Sequence, residues 1–389
     1  MASDSSAGNC QRPPTLYIPA LDGIRAVAFL IVFVAHSMPY RDLPGGFGVT
    51  VFFFLSGYLI TTLLRAEAQQ KNSIDLRNFY VRRALRIFPP CYVTVLIVTV
   101  LAGAGFIYNT ESYRSLFAAF LYFSNYWNIL GFGNLIAGMG VLWSLAVEEH
   151  YYLLFPALYA WFAKGVKSRR FQAAVLITLC IAALGWRCCR VFYFHSPWES
   201  IYEGTDTRFD SILWGCVLAV IANPRLGDQV DWLKKRANLL ALAGAGLLVF
   251  TFALRNPVFR ETIRYTLQAI ALAPIFFLVS LQKNFLTQCL EWRVLRWLGQ
   301  LSYTMYLVHH TLFHHFYHYY RPSLSLALII LATTVLYAQA MRTFVELPLQ
   351  RTRARFRTKS PDGLLGVSPG KTAGIASLPG RENAASPAA

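Results

Sequence analysis

An arginine and a histidine share one face of the first apolar stretch of this sequence. Arg25 and His36 are eleven residues apart. In a helix this spacing returns to within about 20° of the same direction, with an axial separation of about 16 Å. Asp22 lies one turn earlier on that face. Ionisable groups inside apolar segments are costly and often functional: neutral imidazole can accept a hydroxyl proton near pH 7, and arginine can hold a phosphate. The structural alternative is a snorkelling arginine and an interfacial histidine.

A basic segment leads into the third apolar stretch. Arg82 and Arg86 are four residues apart and therefore share a helix face, with Arg83 beside them. Guanidinium groups bind phosphates through paired hydrogen bonds, so this cluster is a candidate site for the phosphates of coenzyme A. The ordinary positive anchor of a membrane helix has the same composition. The spacing leaves both interpretations open.

Two adjacent carboxylates, Glu148 and Glu149, lie near one end of a later apolar stretch. Ser144, Glu148 and Tyr152 recur at a spacing of four and share a helix face, whereas Glu149 points about 100° away. We expect Glu148 to orient His36 or an acceptor hydroxyl. The alternative is an ion pair with an arginine at the outer side.

Further polar residues lie around the start of the predicted span 209–222 and within and just after the predicted span 298–317. Asp206, Arg208 and Asp210 are predicted to close a polar cluster at an outer mouth, unless they are solvated loop charges. Five histidines crowd one apolar stretch: His309, His310, His314, His315 and His318. Their spacing lacks a matching carboxylate ligand, so no metal site is predicted.

Membrane helices are the elements that must carry these residues. The 389-residue chain is 56% hydrophobic and 14% charged, far more apolar than an average soluble domain. A span needs roughly 20 apolar residues. Eleven apolar stretches are candidates, at residues 21–38, 47–64, 87–106, 116–130, 142–163, 171–186, 209–222, 238–254, 263–281, 298–317 and 324–345.

Loop charge reduces the eleven candidates to ten spans. The strongly basic connections should all be cytoplasmic: 65–86, 164–170, 225–236, 283–296 and 342–359. Three candidates lie between the first two of these connections, so one of the three must not cross. The weakest, 116–130, is short and polar and is predicted to be re-entrant or interfacial. The predicted fold is an all-α integral membrane protein with about ten transmembrane helices plus this segment.

Three regions are predicted along the chain. Residues 1–20 form a cytoplasmic N-terminal segment, 21–349 a multi-pass membrane domain, and 350–389 a basic, disordered cytoplasmic tail. The net charge of +17 lies mostly in short loops and the tail, as a positive-inside bias predicts. Nucleic acid is therefore not an expected partner, while membrane lipid is.

Seven segments in a fixed order resemble the acyltransferase-3 family of integral membrane O-acyltransferases. The segments are LDGIRAVAFLIVFVAH, GGFGVTVFFFLSGYLI, FYVRRALRIFPP, WSLAVEEHYYLLFP, TDTRFDSILWG, LSYTMYLVHH and FVELPL. No one of them is decisive alone, but the ordered set is specific. Two positions depart from the family pattern, Thr50 where Asp is frequent and His150 where Gln is usual. Neither belongs to the Arg25 and His36 pair, so the transfer is still expected, whereas the identity of the acceptor does not follow from the resemblance.

The resemblance implies an enzyme that uses acyl-CoA, commonly acetyl-CoA, as its donor substrate, with no permanently bound cofactor. The acceptor is a hydroxyl of a cell-surface or secreted carbohydrate or glycolipid. Arg25 and His36 match the essential pair, and Glu148 matches the motif acid. The basic motif is matched by Arg82, Arg83 and Arg86. Other matching positions have less clear roles: Asp206, Arg208, Asp210, His309 and Glu346. The chain is expected to be the form without a fused esterase-like domain.

The predicted mechanism places coenzyme A at the cytoplasmic face of a bacterial inner membrane, with its thioester arm rising along the first helix towards His36. Direct transfer and an acyl-histidine intermediate both remain open. The competing class is a transporter or flippase of a lipid-linked sugar, because buried Arg, His and Glu suit a translocation path as well. A third class, a glycan polymerase or ligase, would require a polyprenyl-linked donor.

Overall fold

The computed structural model describes residues 16–40, 43–165, 168–228, 230–281 and 284–356, and these residues contain helices and connections but no β-strand. The α-helices within these ranges are α1 (Pro19–Ser37), α2 (Gly45–Lys71), α3 (Leu76–Gly103), α4 (Ser115–Phe120), α5 (Ser124–Ile129), α6 (Leu142–Gly165), α7 (Arg169–Phe192), α8 (Trp198–Tyr202), α9 (Thr205–Ile221), α10 (Asp231–Ala253), α11 (Pro257–Glu261), α12 (Arg264–Ser280), α13 (Phe285–Leu290), α14 (Arg293–Tyr319), α15 (Leu324–Met341) and α16 (Leu347–Arg355).

The long helices coincide with the predicted spans. Within the described ranges, ten helices have 17 residues or more, and each overlaps one of the ten predicted spans: α1, α2, α3, α6, α7, α9, α10, α12, α14 and α15. Seven segments, which contain all of these except α6, α12 and α14, are long and apolar enough to cross a membrane. The chain is therefore a multi-pass membrane protein. That α6, α12 and α14 also cross stays a prediction.

The stretch at 116–130 does not form one continuous helix. A turn at Tyr122, whose φ of 52° lies in the left-handed region, separates α4 from α5. Each of these helices has six residues, far fewer than the roughly 20 that a crossing requires. The chain continues into a 3₁₀ helix, Ile136–Val141, in which Ala137 and Gly138 also have positive φ. This geometry agrees with the prediction that the segment does not cross.

The basic segment lies inside α3 and not before it, because α3 starts eleven residues earlier than the predicted span. Asp75 caps this start by accepting a hydrogen bond from the backbone N–H of Asn78, which lowers the pKa of the Asp75 carboxyl. Pro89 and Pro90 lie within the helix and lack N–H groups. The carbonyl of Arg86 therefore loses its helical donor, next to the arginine cluster.

Small residues bring α1 close to its neighbours α2 and α14. A Cβ on Gly299 of α14 would overlap the backbone carbonyl of Asp22, and one on Gly48 of α2 would overlap that of Ala28. Membrane helices commonly pack through such small residues, because these residues let two backbones approach closely. The face of α1 that carries the arginine and the histidine is thereby held beside both helices.

After α15 the chain turns back onto α3. The segment Arg342–Glu346 is a turn of π-helix, and its last residue, Glu346, accepts a hydrogen bond from Thr304 of α14 at 2.8 Å. The next helix, α16, packs against α3, where Arg82 donates to the backbone carbonyl of Phe356 at 2.9 Å. This returning segment is therefore attached to both α14 and α3.

The predicted disordered tail needs a correction at its start. Residues 350–355 continue helix α16, because packing against α3 gives this polar segment tertiary contacts that its composition does not reveal. The rest of the predicted tail, 357–389, and most of the predicted N-terminal segment, 1–15, lie outside the described residues.

Candidate active site

Two histidines form a hydrogen-bonded pair between α1 and α14. His36 Nδ1 lies 3.1 Å from His309 Nε2, and His309 Nδ1 lies 2.8 Å from the backbone carbonyl oxygen of Tyr306. His309 is fully buried, whereas part of the His36 side chain is accessible. The edge of the His309 ring packs against Phe29. His36 is therefore the member of the pair that a substrate can reach.

The contacts of His309 determine which nitrogen of each neutral ring carries the proton. A carbonyl oxygen only accepts, so His309 Nδ1 donates to Tyr306 and His309 Nε2 accepts. His36 Nδ1 must then donate, which leaves His36 Nε2 without a proton. A protonated His36 would keep the same hydrogen bond to neutral His309. The arrangement supplies what a general base needs, namely a bare nitrogen on a partly exposed ring and a partner for the cation that the ring becomes.

The segment that does not cross the membrane packs beside this pair. His310 Nδ1 donates to the carbonyl of Gly138 at 2.5 Å, and the ring centroids of His310 and His36 are 4.8 Å apart. Gly138 has a φ of 72°, and a Cβ at this position would overlap His314. Both the positive φ and the close approach favour glycine here. The glycine-rich turn thus holds a second imidazole against His36.

The other histidines of α14 make separate contacts. His315 Nδ1 accepts a hydrogen bond from the backbone N–H of Tyr108 at 3.1 Å, and His318 stacks on the Tyr108 ring with centroids 3.4 Å apart. Within the part of the chain that the structure describes, no three His, Cys, Asp or Glu side chains gather where they could hold one metal ion.

Glu148 bonds to α2 and to its own helix. Its two carboxylate oxygens accept hydrogen bonds from Ser56 and Tyr152, each at 3.1 Å. Tyr152 also lies 2.8 Å from the Ser56 hydroxyl. The expectation that Glu148 orients His36 is therefore corrected: α6 meets α2 at this level, and the hydrogen-bond partner of His36 is His309.

Ser144 links the same face of α6 to the histidine pair. Its hydroxyl lies 2.8 Å from the phenol of Tyr306, the residue whose carbonyl holds His309. Both Ser144 and Tyr306 are buried. One face of α6 therefore runs from the histidine pair, through Ser144, to Glu148.

Arg83 and Glu149 lie between α3 and α6. The Arg83 guanidinium is 3.6 Å from the centroid of the Tyr152 ring, and its charge attracts those of Glu148 and Glu149. Glu149 is partly exposed, and no hydrogen-bond or ion-pair partner for its carboxylate is found among the described residues. Ionisable side chains on apolar helices usually face the protein interior or a water-filled cavity.

Arginines gather around the start of α1. Arg25 pairs with Asp22 at 2.8 Å. Arg86 is exposed, and its charge is repelled by those of Arg25, Arg83 and Arg353, the last of which lies on α16. We give one name, the polar path, to the accessible polar side chains of the histidine pair, of the contact of α2 and α3 with α6, and of this cluster: His36, Ser56, Glu149, Arg83 and Arg86.

Arg82 and Arg86 have different surroundings, although they are one turn apart on α3. Arg82 forms an ion pair with Glu67 of α2 at 3.7 Å and donates to the carbonyl of Phe356. Its guanidinium is thus used to attach α16 and α2 to α3. A phosphate site made from Arg25, Arg82, Arg83 and Arg86 stays a prediction, and Arg86 is the most exposed of the three motif arginines.

The charged residues at the start of α9 point into different environments. Asp206 pairs with Arg190 at 3.1 Å, and both side chains are partly exposed. Asp210 pairs with Arg187 at 2.9 Å, and both side chains are completely buried. The expectation of one polar cluster at an outer mouth is therefore wrong for Asp210, which joins α9 to α7 inside the protein.

Arg208 is completely buried among aromatic rings. Its guanidinium lies 4.0 Å from the centroid of Tyr265 and donates to the Thr50 hydroxyl at 3.2 Å. Thr50 is one of the two positions that depart from the family pattern, so this cation meets a hydroxyl where a carboxylate is frequent. Arg208, like Asp210, faces the interior and not an outer mouth.

A family model described as an acyltransferase domain matches residues 18–341, most of the 389-residue chain. The chain belongs to the acyltransferase-3 family. The resemblance carried by the seven ordered segments is thereby confirmed, and with it the class of enzyme. The acyltransferase-3 match ends before α16, so Arg353 lies outside it.

Relatives of this acyltransferase-3 member are named as O-acetyltransferases. Peptidoglycan O-acetyltransferase OatA of Listeria monocytogenes serovar 1/2a is 30% identical over 356 residues, which are 86% of this chain and 56% of the relative. The putative peptidoglycan O-acetyltransferase YrhL of Bacillus subtilis is 34% identical over 317 residues, 76% of this chain and 48% of the relative. The chain spans about half the length of these curated relatives. No solved structure matches it.

Sequence reasoning did not single out three residues at or beside the candidate active site: Ser56, Tyr306 and Arg353. Ser56 and Tyr306 are neutral, so a search for ionisable groups within spans passes over them. The carbonyl of Tyr306 is a readable signal, because it lies three residues before His309 on the same helix and is within reach of that ring. Arg353 has no local signal, since its position depends on the contact of α16 with α3.

We expect Asp210→Asn to destabilise this acyltransferase-3 member far more than Asp206→Asn. Loss of the Asp210 charge leaves Arg187 as a buried cation without its counter-ion, at a cost of about 3–5 kcal/mol. The partly exposed pair of Asp206 and Arg190 contributes about 0–1 kcal/mol. Thermal unfolding of each variant in detergent measures the difference. Equal losses of stability would contradict the assignment of Asp210 to a buried structural pair.

Proposed function

We propose that this chain transfers an acyl group, in the first place acetyl, from its coenzyme A thioester to a hydroxyl of a bacterial cell-envelope carbohydrate. The observation that carries the proposal is the hydrogen bond from Nδ1 of the partly exposed His36 to buried His309, from which a bare Nε2 on His36 follows. Family membership supports acyl transfer. The names of the relatives make peptidoglycan the first candidate acceptor.

The long axis of α1 fits the shape of the donor. Arg25 and His36 are separated by about 16 Å along the helix. Coenzyme A carries phosphates at one end of its extended pantetheine arm and the thioester at the other. The proposed docking puts the phosphates at Arg25 and Arg86 and the thioester near His36. Positive loop charge favours the arginine end, and both chain termini, on the cytoplasmic side of the bacterial inner membrane.

The chemical step uses His36 Nε2 as the general base. This nitrogen takes the proton of the acceptor hydroxyl while the oxygen attacks the thioester carbonyl carbon, so that a C–O bond forms and the C–S bond breaks. The coenzyme A thiolate leaves and takes a proton from the His36 imidazolium. His309 keeps its hydrogen bond to Nδ1 throughout. An acyl-histidine route would form on the same Nε2 and then pass the acyl group to the hydroxyl.

Glu148 receives a positioning role in this proposal. Its hydrogen bonds from Ser56 and Tyr152 hold two side chains of α2 and α6 beside the polar path. Tyr152 in turn lies under the Arg83 guanidinium. Glu148 therefore shapes the space through which the thioester arm passes. The carboxylate of Glu149 faces the same space and can accept hydrogen bonds from a hydroxyl-rich acceptor.

We expect His36→Ala and His36→Gln to lower acyl transfer by about a hundredfold to ten-thousandfold, because each removes the general base. Membrane vesicles that contain the protein are given radiolabelled acetyl-CoA, and label in peptidoglycan and glycolipid fractions is measured together with release of the coenzyme A thiol. His318→Ala is the control, since that exposed ring stacks on Tyr108.

Wild-type transfer by His36→Ala would overturn the proposed mechanism. Absence of transfer and of thiol release by the unmodified protein, together with movement of lipid-linked sugar across the vesicle membrane, would favour the flippase.

We expect His309→Ala to lower kcat by about tenfold while His309→Gln retains more activity. Alanine leaves Nδ1 of His36 without its acceptor, a loss of about 1 kcal/mol, whereas the glutamine carbonyl can still accept from it. The KM for acetyl-CoA should stay unchanged in both, because His309 is fully buried and the proposed phosphate contacts are at Arg25 and Arg86. His315→Ala, on the same helix, is the control. Equal activity of His309→Ala and the unmodified protein would remove His309 from the site.

A further inference from the structure

We infer that Arg353 on the C-terminal helix α16 joins Arg86 and Arg25 in a binding site for the diphosphate of the coenzyme A thioester. This inference rests on the proposed use of an acyl-CoA donor and deepens it. Arg353 belongs to none of the seven family segments and follows the last residue of the family match. The site would therefore be completed by a part of the chain outside the matched domain.

Two hydrogen bonds in opposite chain order align the end of the chain with α3. The Tyr337 hydroxyl of α15 donates to the Thr94 side chain of α3 at 2.9 Å. Arg82 donates to the carbonyl of Phe356 at 2.9 Å. One turn further along α3, the charge of Arg86 is repelled by that of Arg353, which lies three residues before Phe356. Residue numbers thus rise along α3 as they fall from Phe356 to Tyr337, so this end of the chain runs antiparallel to α3.

One arginine of α16 is distinguished from its neighbours by burial. Arg353 is half-buried, whereas Arg351 and Arg355 are exposed. Residues two positions apart on a helix point about 160° away from each other. The helix therefore turns Arg353 towards the protein and leaves the other two in solvent.

Arg86 and Arg25 differ in their partners. Arg25 is paired with Asp22, but no carboxylate lies within ion-pair distance of Arg86 among the described residues. Arg86 is nevertheless in the field of three other guanidinium groups and is exposed to water. An exposed cation that neighbouring cations repel is a favourable position for an anion. A diphosphate offers several oxygens to the fork-shaped donors of neighbouring arginines.

The segment that carries Arg353 is held at its base. Glu346 accepts from Thr304 at 2.8 Å, and Arg342 donates to the Gln300 side chain at 2.7 Å. Both partners lie on α14, the helix that also carries His309. The position of the proposed phosphate contact is therefore tied to the helix that holds the catalytic pair.

Binding of coenzyme A to the full chain in lipid nanodiscs tests the inference without turnover. We expect Arg353→Ala to raise the Kd for coenzyme A by about tenfold to a hundredfold, the effect of losing charge-assisted hydrogen bonds. Arg351→Ala and Arg355→Ala are matched controls on the same helix and should bind as the unmodified protein does. Inorganic diphosphate should displace coenzyme A from the unmodified protein at lower concentration than from Arg353→Ala.

Arg353→Glu separates loss of the site from loss of the fold. The introduced carboxylate can pair with Arg86, so the thermal stability should be kept or raised while coenzyme A binding falls at least as far as in Arg353→Ala. An unchanged Kd in Arg353→Ala overturns the inference but leaves the acyl-CoA donor in place. If the unmodified protein does not bind coenzyme A, the donor proposal fails as well. A response of Arg353→Ala to phosphatidylglycerol content, with an unchanged Kd, assigns the cluster to a lipid phosphate instead.

Discussion

The hydrogen bond between His36 and His309 depends on how closely α1 and α14 approach. Gly299 permits this approach at one end of the contact, because any side chain there would overlap the backbone of α1. The carbonyl of Tyr306 orients the second ring. On another side, the turn at Gly138 holds the imidazole that follows His309 in the chain. The proposed base is therefore assembled from three separate regions of sequence, and its protonation state is a property of their packing.

The charges of the protein divide into those with buried partners and those open to water. Arg187 and Asp210 are completely buried and bond to each other, so they stabilise the helix packing. Arg86 and Glu149 are accessible, and neither has an ion-pair partner within the described ranges. In a membrane protein such open charges are retained where water or a substrate reaches them. With His36, they are the side chains that the proposed acyl donor would contact between its phosphates and its thioester.

Periodicity and loop charge predict much of the fold, because both act within one helix or one loop. They give the long helices, the broken segment at 116–130, and the shared face of Arg25 and His36. They cannot give the partner of His36, since His309 is 273 positions away and only helix packing joins the two. Helix packing also decides the partner of Glu148. This residue was predicted to orient His36 or an acceptor hydroxyl, but it bonds to Ser56 where α6 meets α2. Arg353 could not be predicted, because α16 is polar and its position depends on its packing against α3.

The protonation pattern of the histidine pair in a lipid bilayer tests the central claim most directly. Solid-state NMR of the protein with isotope-labelled histidine nitrogens distinguishes the two neutral forms of each ring, and the His36→Gln and His309→Gln spectra assign the signals. The account predicts, near neutral pH, a protonated Nδ1 and a bare Nε2 in both rings, with a coupling from His36 Nδ1–H to His309 Nε2. A His36 ring protonated at Nε2 with a bare Nδ1 would contradict it.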